Sequence, residues 1–127
     1  MAVIAAAYEA LNGNIPGVPV YVHWIKDDRA ASMPRVILRF SGSGRDRYRT
    51  AGTLNCDIFS RGNDIERCEE IKTAIRDLLT DRLHEYGRDA GIRYDYNSEN
   101  YVEDPNPAVI HLNLVFDVLA IYTPEEE

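Results

Sequence analysis

The clearest pattern along the chain is a strand that leads through a short turn into a long helix. In residues 53–60 apolar and polar side chains alternate, with one face formed by Leu54, Cys56 and Ile58 and the other by Asn55 and Asp57. This period of two predicts a strand with a single buried side. Residues 61–64 are then expected to turn the chain.

A long amphipathic helix is predicted after the turn. Asn63 or Asp64 supplies a side-chain oxygen that can cap its first turn. Apolar residues then recur at helical spacing, which predicts one continuous buried stripe. Its members are Ile65, Cys68, Ile71, Ile75, Leu78, Leu79, Leu83 and Tyr86. Gly87 stands where a left-handed residue commonly ends a helix, so the helix is expected to continue almost to that position.

The remaining pattern predicts an α+β fold. Further elements are expected as a helix over residues 2–12, strands over residues 20–25 and 35–40, a short strand around residues 92–96, a polar loop over residues 97–107 and a long strand over Val109–Tyr122. We therefore expect a single domain in which an antiparallel sheet of about four to five strands packs on the long helix, with the N-terminal helix beside it.

Composition bounds the class of protein. The chain has 127 residues, of which 45% are hydrophobic and 28% charged, as in a globular domain of ordinary size. Residues 1–122 are expected to form this domain, and residues 123–127 an acidic tail. No apolar run approaches the roughly 18 residues that cross a membrane, so no membrane association is expected. The apolar start lacks a preceding basic segment, which favours a helix over a signal peptide and an intracellular site of synthesis.

Charge is distributed unevenly along the chain. The net charge is -7; residues 1–63 contain eight basic and five acidic residues, and residues 64–127 contain six and sixteen. An acidic protein is a poor candidate for sequence-independent binding of DNA. A chain with one basic and one acidic half can instead associate head to tail with its own copies, which closes rings or extends filaments. A charged surface that is merely solvated is the alternative.

No catalytic, metal or cofactor motif accompanies these elements. No serine has a histidine and a carboxylate suitably placed, and the one glycine-rich loop lacks the phosphate-binding pattern. Cys56 and Cys68 both fall on predicted buried faces, which favours core thiols over a metal site or a disulfide. His23 and His111 are interpreted as residues of polar strand faces, and His84 as a partly exposed cation at the helix end. We expect no enzyme activity and no cofactor.

A basic hairpin tip is the best candidate for a working surface. It joins the second and third strands and contains Arg45, Asp46, Arg47, Tyr48 and Arg49. Arginine and tyrosine are common anchors of protein interfaces. Its candidate acidic counterpart consists of Glu99, Glu103 and Asp104 in the predicted loop. Both segments could equally be solvated.

Several of these features occur together in one group of proteins. The strand ends in the sequence D-I-F-S-R over residues 57–61, a short turn leads into the long helix, and Asp104-Pro105 precedes the last strand. In this respect the chain resembles the tail terminator, or tail completion, proteins of long-tailed bacteriophages and prophages. In that group a strand of the form x-D-I-[FW]-S-R enters the long helix. The family has no catalytic residues to carry over.

This resemblance implies a structural virion protein. Such proteins form a ring, commonly a hexamer, that caps the tail tube, stops its polymerisation and presents a surface for joining the head. The implied partners are copies of the chain itself, a tail tube protein and a head-neck connector protein, with DNA passing through the ring without specific binding. The implied location is the head-proximal end of the virion tail, after assembly in the host cytoplasm. The alternative hypothesis is a small ligand-binding or regulatory α+β module with a pocket between helix and sheet.

Overall fold

One mixed sheet dominates the described part of the chain. The structure is a computed structural model, and it describes residues 2–22, 33–45, 49–86 and 89–122. The elements in chain order are α1 (Ala2–Leu11), β1 (Val20–Val22), β2 (Arg35–Arg45), β3 (Arg49–Arg61), α2 (Ile65–Thr80), β4 (His84–Tyr86), β5 (Asp89–Val102) and β6 (Val109–Tyr122). Across the sheet the strands lie in the order β1-β2-β3-β6-β5-β4. β1 runs parallel to β2, and the other neighbouring strands are antiparallel.

The predicted fold class is wrong, because the structure has a six-stranded mixed sheet and two short helices instead of four to five antiparallel strands on a long helix. β1 and β2 pair in parallel, and the stretch between them is long enough for the crossover that a parallel pair requires. The sixth strand, β4, consists of residues that the predicted long helix had included.

α2 is shorter than predicted. The prediction was too long because the apolar spacing in the sequence continues past the end of the helix. The helix ends at Thr80, and the backbone N–H of Asp81 closes the last turn by donating to the carbonyl oxygen of Asp77. Leu83 belonged to the predicted buried stripe but is 60% exposed. Gly87 lies outside the described residues. No helix in the described ranges is long and apolar enough to cross a membrane.

Three sequence predictions are confirmed. Asp64 caps α2, since its Oδ1 accepts the backbone N–H of Arg67 at 3.2 Å. β6 has the predicted bounds, Val109–Tyr122. The predicted hairpin exists, because β2 and β3 pair antiparallel up to Arg45 and Thr50.

Both helices pack on the same sheet face and enclose one apolar core. Among its members that are 0% exposed are Leu54, Ile58, Cys68, Ile71, Ile75, Leu79, Leu112, Leu114 and Phe116. The hydroxyl of Tyr94 donates to the carbonyl oxygen of Val3 at 2.6 Å and thereby ties β5 to α1. Cys56 and Cys68 are buried, free thiols, as predicted, and burial raises the pKa of both.

Gly52 marks a close approach within the β2–β3 hairpin. A Cβ at this position would lie 2.5 Å from both Phe40 Cζ and Ser41 O. We expect Gly52→Ala to lower the free energy of unfolding by about 1–3 kcal/mol, because these neighbours must shift. Gly44→Ala is the matched control, since a Cβ there meets nothing within 4 Å, and it should change stability by less than about 0.5 kcal/mol. Equal effects of the two variants in urea denaturation would contradict this account.

Candidate functional site

The sheet face opposite the helices holds a buried carboxylate in the middle of β3. Asp57 alternates with core residues, so its side chain lies on the face away from the helices, yet it is 0% exposed. Donors from both neighbouring strands surround it, namely Arg39 Nε of β2 at 2.9 Å, His111 Nε2 of β6 at 2.8 Å and Asn113 Nδ2 of β6 at 3.0 Å. Since a carboxylate only accepts hydrogen bonds, Nε2 of His111 carries a proton.

An aromatic pair extends this arrangement on the same face. The rings of Phe59 and His111 stack with centroids 4.3 Å apart. The guanidinium of Arg35 lies 4.9 Å from the centre of the Phe59 ring, and both side chains are buried. We call the set of Arg35, Arg39, Asp57, Phe59, His111 and Asn113 the Asp57 cluster. It connects β2, β3 and β6.

The Asp57 cluster favours the charged form of its carboxylate. Burial alone raises the pKa of Asp57, but hydrogen bonds from His111, Arg39 and Asn113 and the positive charge of Arg39 outweigh it, so the pKa lies below its usual value. In the described part of the chain, no group of three or more His, Cys, Asp or Glu side chains is placed to hold a metal ion. The arrangement therefore fixes one negative charge together with the three strands around it.

Sequence reasoning placed Asp57 and His111 on polar strand faces but did not predict this cluster. The partners of Asp57 stand 18 and 54 positions away in the sequence, and nothing in the local pattern joins them. The available signal was a single charged residue in the middle of the strand predicted over residues 53–60, where a charge is costly unless it is paired.

The interpretation of His84 as a partly exposed cation at a helix end is wrong. This residue lies in β4 and is 4% exposed. Its Nε2 lies 3.0 Å from the carbonyl oxygen of Leu79, and its ring meets the ring of Tyr94 edge-on at 5.3 Å. It is therefore a satisfied core histidine. His23 lies outside the described residues.

The structure describes only the base of the predicted basic hairpin tip. Arg45 is the last residue of β2, and Arg49 is the exposed first residue of β3. Asp46, Arg47 and Tyr48 lie outside the described residues. The paired strands of the hairpin therefore end at two arginines, and the function of this hairpin as an interface stays a prediction.

Glu99 lies in a strand and not in the predicted loop, because β5 continues to Val102. A bulge between Tyr96 and Ser98 shifts the register against β6 and turns Glu99 toward α2. There its carboxylate accepts a hydrogen bond from Lys72 Nζ at 3.2 Å and another from the Tyr96 hydroxyl at 2.5 Å. Glu99 is thus bound within its own chain, on the helix side of β5.

Glu103 and Asp104 do follow β5 in the short turn that remains of the predicted loop. Glu103 is exposed, and Asp104 Oδ1 accepts the backbone N–H of Asn106 at 2.8 Å. β6 pairs with Arg49 near one of its ends and with Val102 near the other. At about 3.4 Å per residue, the basic and acidic segments are therefore roughly 30–35 Å apart along β6. One chain does not bring them together.

The comparisons with known proteins show the fold. No protein family matches this chain by sequence, and no curated protein does. Among solved structures, the chain is similar to a chain of the "Virion of native gene transfer agent (GTA) particle", with a TM-score of 0.65, 18% sequence identity, and coverage of 94% of this chain and 95% of that chain. The likeness therefore extends over the whole domain, at an identity that shows a shared fold and not a shared role.

Neutralising Asp57 tests the contribution of the cluster. We expect Asp57→Asn to lower the free energy of unfolding at pH 7 by about 2–4 kcal/mol, because the buried donors lose a charged partner. The matched control is Asp117→Asn on β6, whose carboxylate is exposed and accepts a bond from Asn97. That variant should change stability by less than about 0.5 kcal/mol.

A comparison of wild type with Asp57→Asn also gives a pH test. Because the pKa of Asp57 is lowered in the folded state, its contribution is complete above the unfolded pKa of about 4 and disappears as the pH falls through the folded pKa. Urea denaturation at a series of pH values should therefore show the wild-type advantage over Asp57→Asn shrinking below about pH 4. An advantage that stays constant down to pH 2 would refute the assignment.

Proposed function

We propose that this chain is a structural protein of a phage-like virion. The observation that carries the proposal is the fold, which matches a chain of a gene transfer agent virion over nearly the full length of both chains. The resemblance to tail terminators rests on the order of elements, which is itself part of the fold, and on the D-I-F-S-R strand end, which is a feature of the sequence. The strand end therefore adds a separate observation that favours the same class of protein.

Within that class, the proposed role is that of a tail terminator. In this role copies of the chain form a ring, commonly a hexamer, that caps the tail tube, ends its polymerisation and offers a joining surface to a head-neck connector protein. The virion DNA passes through the ring without specific contacts. The site of action is the head-proximal end of the tail, after assembly in the host cytoplasm, and no catalytic step is part of the role.

The distribution of charge supports association by unlike surfaces. The basic end at Arg45 and Arg49 and the acidic end at Glu103 and Asp104 lie at opposite ends of the sheet. A contact between two unlike patches repeats head to tail, and it closes into a ring when the rotation between subunits allows it. Opposite charge on the two patches also favours the correct orientation during encounter.

A ligand-binding module is the second hypothesis. The interface between α2 and the sheet is filled by fully buried side chains, but a hollow of about 420 Å³ lies where α1 and α2 end, with Glu9, Asp81 and His84 among its lining residues. A small molecule bound there would raise the melting temperature of a protein whose oligomeric state does not change. Ring assembly instead predicts that the oligomeric state of the protein changes as copies associate.

The mass of the protein in solution distinguishes the two hypotheses. We expect light scattering after size exclusion to show a discrete multiple of 14.4 kDa, near six subunits, that dissociates as salt rises from about 0.05 to 0.5 M because screening weakens contacts between exposed charges. A monomer at every concentration and salt level would contradict self-assembly of the chain by itself.

Charge reversal tests whether the hairpin end is an interface. We expect Arg45→Glu/Arg49→Glu to prevent assembly and to leave the melting temperature within about 3 °C of wild type, since surface charges contribute little to folding. The matched control is Arg61→Glu/Arg82→Glu, which makes the same change of net charge at exposed positions away from the hairpin end. Assembly that both variants retain, or that both lose, would show that this hairpin end is not a specific contact.

A further inference from the structure

In the described part of the chain, the outer edge of β5 has no neighbouring strand over residues 98–102. We infer that residues 98–102 of β5 accept, by main-chain pairing, an extended strand from a second copy of this chain, and that the strand they accept comes from the basic β2–β3 hairpin. This inference rests on the proposed function, because it requires copies of the chain to associate. It adds the surface, the mode of contact and the segment that binds.

β5 is only partly paired on its outer side. The neighbouring edge strand β4 has only three residues, and it pairs with β5 at Asp89 and Ile92. β5 continues to Val102 and pairs with β6 to its end. Within the described ranges, no strand lies on the other side of residues 98–102. The main-chain N–H and C=O groups on that side are therefore available to another strand.

The regular shape of residues 98–102 suits an added strand. The bulge before Ser98 separates it from the rest of β5, and the five residues that follow form an uninterrupted ladder with β6. Five residues is the usual length of a strand in a sheet. An added strand of similar length would thus find a regular template that begins at the bulge and ends at the turn.

Apolar side chains are exposed on both faces of this segment. Tyr101 on the helix side is 51% exposed, and Val102 on the opposite side is 43% exposed. Lysine and proline commonly protect an edge strand from pairing, and residues 98–102 contain neither. Glu99 is the one charged residue of this segment, and it is bound to Lys72 within its own chain. A partner strand would cover both side chains.

The acidic side chains around residues 98–102 favour a basic strand as the occupant. On the helix side, Glu69 accepts a hydrogen bond from the Tyr101 hydroxyl at 2.8 Å, and it shares Lys72 with Glu99. Glu66, exposed on α2, and Glu103, exposed just beyond the strand, add further negative charge. An added strand is therefore favoured if it carries cations. β2 ends at Arg45, and beyond Leu38, where its pairing with β1 ends, no described strand lies on its outer side, so residues 39–45 of the hairpin can supply such a strand.

The geometry requires that the hairpin belongs to another copy. The hairpin end and residues 98–102 lie at opposite ends of the sheet in one chain, roughly 30 Å apart along β6. A contact between two such unlike surfaces leaves a free hairpin on one copy and a free β5 edge on the other. Each copy added therefore presents the same two surfaces again, as a ring requires.

Residue-resolved hydrogen exchange on the intact protein tests this inference. In the monomer at low concentration, alternate amides of residues 98–102 should exchange quickly, because they donate to water and not to β6. In the assembled form these same amides should exchange at least about 100-fold more slowly. Alternation is the decisive feature, since contact through side chains alone protects no particular set of backbone amides.

A charge placed at the edge gives a second test. We expect Val102→Lys to raise the concentration needed for half-assembly by at least about tenfold, because a lysine on an edge strand repels an incoming basic strand. Leu83→Lys is the matched control. Leu83 is 60% exposed and lies between α2 and β4, outside both residues 98–102 and the hairpin end. This variant should assemble as wild type does.

The outcomes separate this inference from the proposed ring. Alternate protection together with a discrete closed mass supports both. A closed multimer without protection of residues 98–102, or equal assembly of the two lysine variants, overturns the edge contact and leaves the ring. Alternate protection in a species that never exceeds a dimer supports the edge contact and overturns the ring. A monomer at concentrations up to about 1 mM overturns the contact between copies.

Discussion

The fold depends on one constraint, which is that the buried carboxylate of Asp57 must be matched by donors from both neighbouring strands. A charge inside a protein costs several kcal/mol unless hydrogen bonds and an opposite charge compensate it. Here Arg39 of β2 and His111 and Asn113 of β6 supply the compensation. Slipping β3 by one residue would turn Asp57 into the apolar core and Ile58 out of it. The register of the three central strands is therefore determined on both sheet faces at once.

The pairing at the centre of the sheet is complete, whereas the outer strands are short. β1 and β4 have three described residues each, whereas β3, β5 and β6 have thirteen or fourteen. A short outer strand leaves part of its long neighbour uncovered, and at β5 the uncovered part is regular and carries exposed apolar side chains. The interior is complete in one chain, so the open edge costs the monomer little stability. It is at such edges that a folded protein can gain pairing from a second molecule.

The sequence allowed prediction of those parts of the fold that depend on local pattern. The alternation in β6 and the cap at Asp64 are visible in neighbouring residues, and both are confirmed. The end of α2 was not predictable, because Leu83 continues the helical spacing but follows the last helical residue and is exposed. The length of β5 was missed since its bulge at Asn97 interrupts the period of two. Pairing order, parallel orientation and the Asp57 cluster all join residues that are distant in sequence, and no local window contains them.

The distance between the basic and the acidic end limits the effect of the uneven charge. At an ionic strength of about 0.15 M, charges are screened over roughly 8 Å, whereas the basic hairpin end and the acidic end at Glu103 are separated by several times that distance along β6. Attraction between the two ends therefore contributes nothing to the folding of a single chain. In the proposed assembly this attraction acts between two chains, where the basic end of one copy would approach the acidic end of the next within the screening distance. The two carboxylates of Glu99 and Glu69 share the single positive charge of Lys72 inside each chain. The acidic end therefore keeps a net negative charge that a cation of another molecule can neutralise. In the proposed assembly, the charge asymmetry that is visible in the sequence therefore acts between molecules and not within one chain.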